Sequence, residues 1–94
     1  MKMTTRKKPL WKELYQNGVF TRVVAVKNDQ GRWSLFGVHR SIDAAIFVEA
    51  ARGGIREWSG LNHLGDFCNS LDVTLWEVHC KKRGSAALRA AEQG

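Results

Sequence analysis

Cys68 and Cys80, His39, His63 and His79, and the acids Glu49, Glu57 and Glu77 are the side chains that could do chemistry in this 94-residue chain. A thiolate beside an imidazole base would be a nucleophile, and sulfur with imidazole would suit zinc. The cysteine and histidine pairing is geometrically conceivable, but the metal constellation lacks the spacing it needs. No CxxC or HExxH pair occurs, and His79 and Cys80 are adjacent, so in a strand they point to opposite faces and do not share an ion. No local context makes either thiol reactive. Cross-strand ion pairs with Arg22, Arg32 and Arg56 account for the three glutamates without catalysis. The residues therefore point to a protein that is not an enzyme, with no catalytic residue, metal or cofactor, and with both cysteines as small core residues.

The stretch best suited to binding is "RGGIREW", Arg52 to Trp58. A glycine pair between two short strands is what a tight hairpin turn needs, because glycine accepts positive φ. The same residues suit a phosphate: the amides of Gly53 and Gly54 would hold it, Arg52 and Arg56 would flank it, and Trp58 would stack on a base. A phosphate loop has a longer glycine pattern ending in Lys and Ser or Thr, and RNA-binding RGG tracts repeat, so the turn is the favoured reading. Trp11, Phe20, Trp33, Phe36, Phe47, Trp58 and Trp76 are numerous enough for a stacking platform, but in a small domain large aromatics first fill the core.

The charge of +6 suggests an anionic partner, and its distribution locates the contact. Residues 1–12 carry +5 and residues 81–94 carry +3, whereas the stretch between them sums to −2. The grip on a polyanion is thus expected from Lys7 and Lys8 at one end and Lys81, Lys82 and Arg83 at the other, unless folding gathers Arg22, Arg32, Arg40, Arg52 and Arg56 on one face.

The elements that must position these groups follow from the pattern. Residues 1–8 read as a basic flexible arm. "PLWKELYQNG" begins with a helix-starting proline and stops at Gly18, giving a short N-terminal helix. "VFTRVVAVK" and "RWSLFGV", joined by "NDQG", form a hairpin. Residues 41–52 admit either helix or strand, with Ser41 as a cap for the former; contiguous Ile46, Phe47 and Val48 favour a strand over 45–51, a turn at 52–54 and a return strand over 55–58. Leu61, Leu64, Cys68 and Leu71 mark the main helix at about 60–71, with Ser59 as N-cap, and "VTLWEVHC" at 73–80 is a last strand. The fold class is α+β: a small antiparallel sheet of about four to five strands, two hairpins plus the last strand, packed by the main helix and leaving one sheet face for water or a partner. Residues 9–80 form a single domain and 81–94 a basic C-terminal tail. The chain is long enough to bury about 60–65% of its unfolded surface without staples. No apolar run spans a bilayer and no secretory signal is apparent, so a cytoplasmic protein without membrane contact is expected.

"EAARGGIREW", "SGLNHLGDF" and "DVTLWEVH", within residues 45–79, resemble the small partition-associated (ParC-like) proteins encoded on bacterial plasmids. The resemblance implies a bacterial, cytoplasmic accessory protein of plasmid or other mobile-element maintenance with no established catalytic role, and it carries over no binding residues. Charge and resemblance together lead to the expectation of a non-enzymatic protein contacting DNA or a nucleoprotein complex. The alternative is a protein-interaction module, a homodimer or adaptor, acting through a sheet edge or an aromatic patch.

Overall fold

The computed structural model describes residues 1–80, without the side chain of Cys80. The expected hairpin is its centre. β2 (Phe20–Lys27) pairs antiparallel with β3 (Trp33–His39), from Phe20 opposite His39 to Lys27 opposite Trp33. Asn28 builds the turn: its side-chain oxygen accepts from the amides of Gln30 and Arg32, both at 2.9 Å, as asparagine does in turns.

Residues 41–52 resolve toward the strand. β4 (Ala44–Val48) pairs antiparallel with β3, and all five of its residues are buried. An "AAIFV" run that is apolar on both sides suits a strand with a neighbour on each edge. The next turn differs from expectation, because 55–58 is not a return strand. Ile55 makes a single bridge to Glu49, Arg56 N–H donates to the Val48 carbonyl at 2.9 Å, and Trp58 bridges Trp33. The physical reason is that both edges of β4 are occupied, one by β3 and one by β1 (Lys2–Arg6).

β1 corrects the reading of residues 1–8 as a flexible arm. Lys2–Arg6 pairs parallel with β4 across its whole length, from Lys2 opposite Ala44 to Arg6 opposite Val48. The Glu49 amide donates to the Arg6 carbonyl at 2.8 Å, and the Thr5 hydroxyl donates to Glu49 Oε1 at 2.8 Å. Paired backbone groups and two β-forming threonines outweigh the solvation that the lysines and arginine suggest. At the other edge, β5 (Glu77–Cys80) pairs parallel with β2, and it is shorter than the 73–80 expected. The order is β1-β4-β3-β2-β5. The sheet is therefore mixed rather than antiparallel. Residues 81–94, read as a basic tail, lie outside the described residues.

Two helices cover one face. α1 (Lys8–Gln16) carries Pro9 in its first turn and buries Trp11 completely; the indole N–H donates to the Ile46 carbonyl at 2.8 Å. α2 (Leu61–Ser70) buries Leu64, Phe67 and Cys68, with Gly60 rather than Ser59 at its N-cap. They meet Val23 and Ala25 of β2, Trp33 and Leu35 of β3, and Ile46 and Val48 of β4 to make the core. The Phe20 ring lies across Gly37, where an added Cβ would fall 2.4 Å from it. The opposite sheet face carries Val24, Val26, Phe36, Val38, Ala45 and Phe47, and Phe36 and Phe47 pair across β3 and β4 with ring centroids 4.9 Å apart.

Candidate nucleic-acid interface

Strand polarity builds the candidate site. β3 is antiparallel to both β2 and β4, while β1 is parallel to β4 and β5 to β2. Four of the five strands therefore run the same way, and their carboxyl ends share one edge of the sheet. That edge receives Arg6 at the end of β1 with Lys7 and Lys8 after it, Lys27 at the end of β2, and the "RGG" turn after β4, together with Arg32, which precedes the reversed β3. β5 reaches the same edge at Cys80. Lys81, Lys82 and Arg83 follow it in sequence and lie outside the described residues.

The turn itself is structural. Gly53 and Gly54 have φ of 93° and 75°, the region where an L side chain is strained. The Gly53 amide donates to the Ala50 carbonyl and the Ala50 amide to the Gly54 carbonyl, both at 2.9 Å, so the turn spends the Gly53 N–H on itself rather than on a phosphate cradle. Arg52 is exposed at its tip.

Around the turn, residues far apart in sequence converge. Lys7 Nζ lies 3.3 Å from the Ala51 carbonyl and 3.4 Å from Glu49 Oε2. The Thr5 hydroxyl, then Lys7 and Arg6, hold the Glu49 carboxyl below its usual range. On the helix side, the Arg56 guanidinium carbon lies 4.8 Å from the Trp58 ring centroid and 5.0 Å from that of Phe67, and the Lys8 ammonium lies 5.5 Å from the Phe67 ring. Arg56 also lines a hollow of about 570 Å³ with Ser59, His63 and Asp66. Trp58 is 7% exposed and belongs to the core, so it offers no ring face to a base. The structure thus brings Lys7, Lys8, Arg52, Gly53, Gly54 and Arg56 to one edge and turns Trp58 inward.

Folding does not gather all five of Arg22, Arg32, Arg40, Arg52 and Arg56 on one face. Arg22 forms a bidentate pair with Glu77, at 2.5 and 2.6 Å, on β2 and β5. Its hydrogen bonds to Glu77 raise the Arg22 pKa, and Arg22 in turn holds Glu77 down at about 2. Arg32 faces Glu57 at 3.4 Å, and Arg40 donates to the Gly18 carbonyl. What sequence reading missed is the partnership between the first residues and the "RGG" turn. Its one signal was the pair of β-forming threonines in "KMTTR", masked by the charged residues around them.

Other chemistry has little to stand on. Cys68 is fully buried and its thiol is pushed up to about 11 by that burial, far from a thiolate at neutral pH. Among the described residues no group of three or more histidine, cysteine, aspartate or glutamate side chains is placed to hold a metal ion, and no helix is long and apolar enough to cross a membrane. No family model, curated protein or solved structure matches the chain, so the partition-protein resemblance rests on residues 45–79 of this sequence alone.

Proposed function

We propose that this chain is a non-catalytic module that contacts nucleic acid, or a nucleoprotein complex, through the basic edge at the carboxyl ends of β1, β2, β4 and β5. The observation that carries the reading is the convergence of Lys7, Lys8, Arg52 and Arg56 around one turn. Lys and Arg at such an edge neutralise phosphates and release counterions, giving salt-sensitive affinity. The Arg56 guanidinium carbon lies 4.8 Å from the Trp58 ring centroid and 5.0 Å from that of Phe67, and its N–H groups are the donors offered to an anion. A role in plasmid or mobile-element maintenance is part of this proposal and is supported by the resemblance alone.

The test is fluorescence anisotropy of labelled duplex and single-stranded DNA against the full chain over a salt series. Binding at low salt that weakens steeply as salt rises, and that drops when Lys7, Lys8, Arg52 and Arg56 are replaced by alanine, supports the reading. Absence of binding at the lowest salt refutes it.

A second reading, a protein-interaction module or homodimer, is favoured by the apolar second face of the sheet, with Phe36 against Phe47 beside Val24, Val26 and Val38. Neither described helix packs there. Salt-insensitive dimerisation in light scattering, lost in Phe36→Asp, would select it over the first.

A further inference from the structure

We infer that the ligand of the basic edge is duplex DNA held at its minor groove, with Arg52 entering the groove and Lys7, Lys8 and Arg56 on the phosphates that flank it; this rests on the nucleic-acid reading above. Three observations separate a duplex from a single strand. The first is that the described residues present no stacking surface at this edge. Trp33, Trp58 and Phe67 are 8%, 7% and 7% exposed, and Lys27, Arg56 and Lys8 lie over those rings. Single-strand binders instead present ring faces to bases, so this edge gains nothing from unpaired bases.

The second is the shape of the turn. From Ala51 to Gly54 only Arg52 carries a side chain longer than a methyl group, and around a Cβ built on Gly53 or Gly54 there is open space for 4 Å. A slender backbone loop with one arginine at its tip matches a minor groove about 6 Å wide, whose narrow A·T-rich form concentrates negative potential and attracts arginine. The third is the two-sided placement of the other cations. Lys7 pairs with Glu49 on the side of the sheet away from the helices, whereas Lys8 and Arg56 sit on Phe67 of α2. Cations on both sides of a projecting turn suit the two backbones that border a groove, while a single strand offers one line of phosphates.

The experiment compares the full chain on an A·T-rich duplex, a G·C-rich duplex of equal length and one strand of the former, at fixed salt, with Arg52→Ala and Arg52→Lys alongside. Arg52 is exposed, and unchanged tryptophan fluorescence and circular dichroism confirm that each variant is folded. The expected result is about tenfold tighter binding to the A·T-rich duplex than to the G·C-rich one, in line with the A·T-against-G·C readout of the minor groove. Single strand binds more weakly than either. Arg52→Ala erases the preference and keeps residual salt-sensitive affinity from Lys7, Lys8 and Arg56, and Arg52→Lys recovers only part of it because ammonium is more strongly hydrated. Equal binding to both duplexes, tighter binding to single strand, or a preference that survives Arg52→Ala overturns the inference while leaving the nucleic-acid reading in place. Failure to bind any of the three removes both.

Discussion

Replacing Trp11 by phenylalanine tests whether α1 is the clamp that holds the basic edge together. Trp11 is fully buried, its indole N–H donates to the Ile46 carbonyl at 2.8 Å in the middle of β4, and its ring centroid lies 5.0 Å from that of Phe20. Phenylalanine keeps the apolar character but deletes the donor. A buried carbonyl that loses a partner costs about 1–3 kcal/mol. The smaller ring also leaves roughly 40 Å³ unfilled, worth about 1 kcal/mol at ~24 cal/mol per Å³. The expected loss is thus about 2–4 kcal/mol, a large part of the ~5–14 kcal/mol a domain of this size carries. Urea unfolding followed by circular dichroism should show a midpoint lowered by about 2 M or more if the slope is near 1.2 kcal/mol/M. Because α1 begins at Lys8, immediately after Lys7, loosening its anchor should also weaken the proposed DNA binding beyond what the unchanged surface charge would suggest. A midpoint within about 0.4 M of the parent protein would refute the reasoning, since neither the hydrogen bond nor the ring volume would then matter.

Two further predictions follow from the sheet. Gly37→Ala places a Cβ 2.4 Å from the Phe20 ring, so the ring must shift from its seat; thermal melting should show about 1–3 kcal/mol of destabilisation, and Phe20→Leu in the same background should relieve part of it. Glu77 titrates at about 2 when folded against an ordinary 4.5, so its stabilising contribution is complete above pH 4.5 and is lost as pH falls toward 2. Because its side chain and that of Arg22 are 41% and 51% exposed, solvent screening limits the contribution to about 1 kcal/mol or less. Urea midpoints measured from pH 6 to pH 2 should therefore fall less steeply in Glu77→Gln than in the parent, and parallel curves would show that the pair does nothing for stability.

The parts of this fold that sequence reading captured are those whose determinants are local. The "NDQG" turn, the Pro9 helix start and the leucine spacing of 61–71 each involve residues that touch their own neighbours. Strand direction is of a different kind. β1 and β4 find each other across some forty residues through backbone hydrogen bonds that no side-chain alternation records, and so the parallel pairs at both edges escaped the antiparallel expectation. The same holds for the site. Gly53 and Gly54 declared a turn through the φ they need, but that Lys7 would reach the Ala51 carbonyl depends on β1 lying beside β4. Trp58 shows the converse: beside two arginines it reads as a stacking group, yet its bridge to Trp33 and contact with Phe67 seat it in the core.

The common direction of four strands also fixes where the molecule can be handled. Met1 lies at the far end from the basic edge, its ammonium 3.4 Å from the Asp43 carboxylate that precedes β4. A strand of five residues separates the two ends by about 17 Å. A fluorophore or surface tether attached to the amino group of Met1 would thus leave the arginine-bearing turn facing solution, whereas one attached at Cys80 would be joined to the chain at the basic edge itself.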